Sequence, residues 1–237
     1  MIAAGSDGLE RIGTRPVSVV LPCRNEARNL EVVLPRIPDW VEEVVVVDSG
    51  CTDDTVAVAR RLRPDVVVAV AAGEGKGAAL RAGFAVARCD YLVAMDADGS
   101  NDPAEIGAML DALDAGAELV KGSRNIPGGG SDDTTVMRNL GNSVLCAVFN
   151  RIHRSRLTDL CYGFVAFRQD LAEPLLAGSA GFDVEAVLQT NAARAGLRIV
   201  EVPSHEARRM HGTSNLRPFR DGVRILGAIL RGSRVAG

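Results

Sequence analysis

The sequence predicts an α/β fold in which a mainly parallel central sheet carries helices on both faces. Three observations support this. Short Val-rich runs alternate strictly with helix-patterned segments as far as about residue 122, the rhythm of successive βαβ units. The 237-residue chain is 47% apolar but only 4% aromatic, so its core must be built from Val, Leu, Ile and Ala, the side chains of strands buried on both faces. Turn and cap residues fall between the runs.

Taken in order, residues 17–21 read as a buried strand ended by Pro22, and residues 26–34 as a helix capped by Asn25. Residues 44–47 are four consecutive valines ending at the turn signal Asp48-Ser49-Gly50. A helix over 52–62 follows, with Asp53 and Asp54 favourably placed at its N-terminus. Strands over 66–70 and 91–95 bracket a helix over 76–87. Asp102 caps a helix over 103–115 that has Pro103 at its first position. Residues 118–121 form a short strand. The rhythm then changes. Residues 125–135, rich in Gly, Ser, Asp and Thr, are expected to be a flexible loop. Helices over 136–152, 183–195 (closed by Gly196) and 218–230 (amphipathic) alternate with strands over 160–167 and 197–202. Residues 1–14 read as a disordered tail. No internal repeat or clean linker interrupts the rest, so residues 15–232 read as one domain.

Composition excludes several classes. The net charge of −3 argues against a nucleic-acid binder. Basic residues nonetheless gather at the C-terminus: Arg208, Arg209, Arg217, Arg220, Arg224, Arg231 and Arg234 stand against the single acid Asp221. Cysteines 23, 51, 89, 146 and 161 form no Cys-x-x-Cys pair and read as reduced cytosolic thiols. No signal peptide is visible and no run of 18 apolar residues occurs. The expected location is cytoplasmic or peripheral at the inner face of the membrane.

The chemistry is expected at Met95-Asp96-Ala97-Asp98-Gly99, directly after a buried strand. Ligands of open α/β sheets bind at such strand ends. Carboxylates at i and i+2 of an extended segment point the same way, so Asp96 and Asp98 are expected to share a divalent cation, Mg2+ or Mn2+.

Four more segments complete a pattern: Pro22-Cys23-Arg24-Asn25-Glu26, Val47-Asp48-Ser49-Gly50-Cys51-Thr52-Asp53-Asp54, Gly75-Lys76-Gly77 and Gly122-Ser123-Arg124. In this order and spacing the chain resembles the family 2 glycosyltransferases of the GT-A fold over roughly residues 16–232. The nearest branch is that of dolichol-phosphate mannose synthase and other polyprenyl-phosphate glycosyltransferases. The resemblance implies an inverting glycosyltransferase that moves a hexose from a GDP- or UDP-sugar to an acceptor, with Mg2+ or Mn2+ on the donor diphosphate. It divides the domain into a nucleotide-sugar half, about 15–124, and an acceptor half, about 125–232.

By resemblance, Pro22, Asn25, Glu26, Asp48, Lys76, Asp96 and Asp98 bind the nucleotide-sugar, and Asp96, Asp98 and Ser100 hold the metal. Ser100 stands where that branch often has Gln, and Asp48-Ser49 where many members have two acids. Lys76 is not part of a Walker A loop, because Val70 and Gly77 occupy positions that such a loop needs as Gly and Ser or Thr. The catalytic set is Asp98, Arg124, Arg138, Asp183 and Glu185. The two arginines match phosphate-meeting positions, with Asp159 expected to orient Arg138 or to contact sugar. Asp183 or Glu185 would serve as general base toward a hydroxyl acceptor; a phosphate acceptor is already ionised and needs none. The late loop 211–216, beginning at His211, is expected to fold over the donor phosphates, while His153 and His205 read as structural.

The leading acceptor is a polyprenyl phosphate, with the C-terminal helix resting on an anionic membrane surface or else packed on the sheet. A soluble small-molecule acceptor is the alternative. Outside this class stand a sugar-phosphate nucleotidyltransferase, which would need a Gly-rich, Arg-containing loop where Pro22–Glu26 lies, and a non-catalytic nucleotide-binding protein. A dehydrogenase is disfavoured because no Gly-x-Gly-x-x-Gly follows the first strand.

Overall fold

The computed structural model describes residues 15–178, 181, 183–212 and 218–231. The predicted N-terminal tail and most of the late loop, residues 213–216, lie outside the described residues. The first half alternates as expected: β1 (Val17–Cys23), α1 (Ala27–Val33), β2 (Glu43–Asp48), α2 (Thr55–Leu62), β3 (Val67–Val70), α3 (Lys76–Val86), β4 (Tyr91–Ala94), α4 (Ile106–Asp114) and β5 (Leu119–Ser123). The second half contains β6 (Gly130–Ser131), α5 (Val136–His153), β7 (Val165–Arg168), α6 (Ala172–Leu176), α7 (Val184–Arg194), β8 (Ile199–Pro203), β9 (His205–Glu206) and α8 (Pro218–Arg231).

Seven strands form one sheet in the order β3-β2-β1-β4-β7-β5-β8. Every neighbouring pair is parallel except those of β7, which runs antiparallel to both β4 and β5. The sheet therefore draws strands from both sides of residue 124. The valines of β2 show how its two faces are filled. Val44 and Val46 belong to the buried cluster that holds Leu30, Val33, Ile106 and Leu110 on one side; Val45 and Val47 belong to the cluster that holds Leu80, Phe84, Val184 and Leu188 on the other. Burying each such side chain is worth about 1.5–3 kcal/mol, which makes a central, doubly covered strand the stable place for this run. Helix α3 approaches so closely that a Cβ at Gly83 would lie 2.7 Å from the Val47 side chain.

Several expectations need correction. Strand β1 does not stop at Pro22: Pro22 and Cys23 still pair with Val47 and Asp48 of β2. The proline is tolerated because the ladder with β4 ends at Val20. Asn25 does not cap α1. It adopts φ +60° and its Oδ1 accepts from Thr52 N at 2.7 Å, tying the β1–α1 loop to the β2–α2 loop. Segment 125–135 is not a free loop, because β6 pairs in parallel with β9. Strand β7 starts at Val165, not near Leu160, since Leu157, Leu160, Cys146 and Phe149 build a separate cluster with α7 and α8. Helix α8 packs its Ile225, Ala228 and Ile229 into that cluster, chiefly against α5 and α7, with Ile199 of β8 at the cluster's edge. The Asp102 cap holds, with its side chain accepting from Ala104 N at 3.2 Å. Among the described residues, no helix is long and apolar enough to cross a membrane.

Candidate active site

The predicted residues of the nucleotide half meet beyond the carboxyl ends of β1, β2 and β4. At β2, Asp48 accepts from Gly50 N at 3.0 Å and Cys51 N at 2.7 Å. These backbone donors hold its carboxyl below the usual range. Asp53 clasps the same two loops, accepting from Ala27 N and from Thr55. Pro22 is half-buried at the end of β1, and Glu26 is buried beside it.

The two carboxylates after β4 do not act as an extended pair. The chain turns at Ala97-Asp98, so Asp96 and Asp98 engage different cations. Asp96 meets the Lys76 ammonium at 2.5 Å, and Lys76 also meets Glu185 of α7 at 2.8 Å. Burial alone would depress the Lys76 pKa, but the two carboxylates outweigh it and hold the ammonium well above the ordinary lysine value. Asn101, almost fully buried, accepts from Asp96 N at 2.6 Å and so fixes the backbone there.

Asp98 accepts from Ser100 N at 3.0 Å with one oxygen and faces Arg209 Nε at 3.3 Å with the other. Arg209 in turn grips both oxygens of Glu26 and donates to the His211 carbonyl. Burial works against its charge, and the Glu26 and Asp98 carboxylates more than offset that. The late segment is stitched to the Asp98 turn by Ala207 N to Ser100 O and Met210 N to Asp98 O. Gly99, at φ +84°, has Met210 packed where a side chain would begin. The sequence offers Arg208 and Arg209 as a pair able to reach phosphates or anionic lipid heads, but it does not show the bonds of Arg209 to Glu26 and Asp98. Sequence reasoning missed Asn101 and Gly163. A Cβ on Gly163 would collide with Lys76 Nζ and lie 3.0 Å from Glu185 Oε1 and 3.1 Å from Asp96 Oδ2.

On the acceptor side the pairing differs from expectation. Asp159 orients Arg124, not Arg138. Arg124 Nε and Nη2 donate to the two Asp159 oxygens at 2.7 and 2.9 Å, and Nη1 meets Glu206 at 2.9 Å. Asp159 has no solvent contact. Its burial would raise the carboxyl pKa, but Lys121 and Arg124 pull it below the usual range. Arg138 lies apart from this network, half-buried and paired with Asp133 at 3.1 Å. Asp183 sits at the start of α7 and accepts from Gly181 N at 3.3 Å, and the Lys76 cluster takes Glu185 instead. His205 faces Asp132 at 3.2 Å and His153 stacks on Phe149, as structural residues would.

The donor set suits a hard divalent cation. Asp96, Asp98 and Ser100 offer only oxygen, and each carboxylate already attracts one cationic group. Among the described residues no group of three or more His, Cys, Asp or Glu side chains forms a ready-made metal cage. A divalent ion held by these oxygens would also draw on oxygens of a bound diphosphate.

Comparison with known proteins identifies the family and the fold. The family model described as glycosyl transferase family 2 matches residues 18–176. The chain is 35% identical over 230 residues to a polyprenol monophosphomannose synthase of Mycolicibacterium smegmatis, covering 90% of this chain and 85% of the relative. It is 35% identical over 215 residues to an undecaprenyl-phosphate mannosyltransferase of Micrococcus luteus, covering 84% and 87%. Among solved structures, glucosyl-3-phosphoglycerate synthase of Mycobacterium tuberculosis, in complex with Mn2+, UDP-glucose and phosphoglyceric acid, superposes with a TM-score of 0.73 at 25% identity, covering 100% of this chain and 87% of that one. Family match and relatives show that the chain belongs to glycosyl transferase family 2, and the superposition shows the fold: it is a glycosyltransferase of the GT-A fold.

Proposed function

We propose that the protein transfers a hexose, with inversion, from a nucleoside diphosphate sugar to a polyprenyl phosphate, with mannose as the first candidate sugar. The relatives named for polyprenol phosphomannose synthesis and undecaprenyl-phosphate mannosyl transfer support the acceptor and the sugar. The observation that carries the reading is the pairing of each strand-end carboxylate with a cation, Asp96 with Lys76 and Asp98 with Arg209, at the mouth of β1, β2 and β4.

In this reading the β1–α1 and β2–α2 loops, clasped by Asn25 and Asp53, hold the nucleoside, with Asp48 on the ribose and Pro22 and Glu26 beside it. Asp98, Asp96 and Ser100 would hold Mg2+ or Mn2+, which neutralises charge on the leaving diphosphate. Arg209 adds a fixed positive charge beside Asp98, where the diphosphate departs. Lys76 keeps Asp96 and Glu185 together at the sugar. Arg124 is held by Asp159 and Glu206, which orients it toward the acceptor phosphate; Arg138 meets the same phosphate from the first turn of α5. A phosphate oxygen is already ionised, so no general base is needed, and Glu185 and Asp183 position rather than deprotonate.

An apolar stripe supports the lipid acceptor. Val136, Met137, Leu140 and Val144 of α5 are 87%, 75%, 59% and 55% exposed, and they start beside Arg138. A polyprenyl chain or a bilayer surface would cover them once the phosphate reaches Arg138. The test is label transfer from GDP-mannose and UDP-glucose, with Mn2+, to farnesyl phosphate and in parallel to 3-phosphoglycerate. Organic-extractable label with farnesyl phosphate is the expected result. Transfer only to 3-phosphoglycerate would overturn the lipid acceptor, and transfer to neither would overturn the reading as a whole.

A further inference from the structure

A lysine occupies the middle of β5. Lys121 pairs in register with Val165 of β7 and Glu201 of β8 and has no solvent contact. Desolvating an ammonium is costly, and well-packed apolar replacements of buried charges are often neutral or stabilising. Stability therefore does not account for a lysine here.

Its contacts suggest what does. Lys121 Nζ donates to the Tyr162 carbonyl at 2.5 Å and lies 6.0 Å from the centre of the Tyr162 ring. That carbonyl belongs to the peptide joining Tyr162 to Gly163. The same ring is held by Arg124, 5.0 Å from its centre, and its hydroxyl meets Ser204 Oγ at 3.0 Å. Gly163 is the residue against which Lys76, Asp96 and Glu185 converge, with no room for a Cβ. A small rotation of the Tyr162–Gly163 peptide would move backbone into that cluster or open a gap beside it. Burial depresses the Lys121 pKa and the Asp159 carboxylate partly offsets this, so the ammonium also helps to keep Asp159 ionised for Arg124.

We propose that Lys121 is a positioning residue for glycosyl transfer, holding the Tyr162–Gly163 peptide so that Gly163 forms the wall of the Lys76–Asp96–Glu185 cluster. It touches no substrate and acts through the peptide. The inference rests on the reading of that cluster as the reacting centre.

The experiment compares wild type, Lys121→Met, Lys121→Leu, Gly163→Ala and the Lys121→Met/Gly163→Ala double variant, using GDP-mannose with Mn2+ and farnesyl phosphate. Lys121→Met is expected to keep or raise Tm and to leave donor KM within twofold, while lowering kcat at least tenfold; Lys121→Leu does the same. Because both single changes disturb one peptide, the double variant is expected to be no slower than the slower single. A kcat within twofold of wild type, a loss of activity matched by a loss of Tm in both lysine variants, or two effects that multiply independently would overturn the proposal. Failure of the underlying site reading looks different: Asp98→Ala and Lys76→Met would then retain wild-type kcat. If only the present inference fails, those two variants are inactive and Lys121→Met is not.

Discussion

The Arg124 guanidinium donates to both oxygens of Asp159, a carboxylate with no solvent contact. Removing one member of such a pair strands the other charge, at a cost of about 3–5 kcal/mol. Arg124→Ala should therefore lower Tm by roughly 10 °C for a chain of this size, read by differential scanning calorimetry; a shift under about 2 °C would contradict the buried pairing. Asp159 also has a pH signature. Its folded-state pKa is below its unfolded value, so the unfolded chain binds the proton more readily. Its contribution to stability is fully present above the ordinary aspartate pKa of about 4 and is lost as pH falls through the folded value. In Asp159→Asn the acid-unfolding limb below about pH 4 should be shallower than in wild type, alongside a lower Tm at pH 7. An unchanged acid limb would remove Asp159 from that role.

At the scale of elements, strand placement was legible because its causes are local. Four valines in succession suit a strand covered on both faces, and Asp102-Pro103 suits a helix start, here a 3-10 turn over Pro103–Glu105 that leads into α4. The ends of the elements were less legible, because distant partners decide them. Asn25 has the chemistry of a cap, but Thr52, brought alongside by the β1–β2 pairing, captures its side chain. The Gly-rich segment 125–135 has loop composition, but β9, more than 70 residues away, fixes part of it. The shared direction expected of Asp96 and Asp98 does not hold, since the turn at Ala97-Asp98 sends the side chains to different partners. Lys76 and Glu185 are over 100 residues apart, and nothing local announces that Glu185 joins Asp96 on the Lys76 ammonium. The loop clasp makes a prediction of its own. Asn25→Ala removes the bond to Thr52 and should raise donor KM about tenfold with kcat within twofold, measured by steady-state kinetics. A change confined to kcat would show that the clasp does not serve donor binding.

Across the whole molecule, one sheet joins two regions of different character. Toward β1 and β2 the surface is polar and closely bonded. Toward α5 an apolar stripe stands exposed beside Arg138. If that stripe meets lipid, Leu140→Glu with Val144→Glu should reduce co-sedimentation with anionic vesicles at least fivefold while leaving Tm unchanged, because both side chains already face solvent. Equal sedimentation of the variant and wild type would place the contact elsewhere. The late segment carrying Arg209 closes the polar region by bonding Ser100, Asp98 and Glu26 at once. The resemblance points to a late loop at 211–216 over this region; the bonds seen here come from the residues just before it, which β8 and β9 return to the mouth of β4.

The central claim is that Asp98 anchors a divalent cation on the diphosphate of a nucleotide-sugar. Isothermal titration of wild type and Asp98→Ala with GDP-mannose and UDP-glucose, each with Mn2+ and with EDTA, tests it most directly. Donor binding by wild type should depend on Mn2+ and weaken at least tenfold in EDTA, and the Mn2+ dependence should vanish in Asp98→Ala while that variant keeps its fold. Donor binding that ignores Mn2+ in wild type, or that keeps its full Mn2+ dependence in Asp98→Ala, would contradict the account.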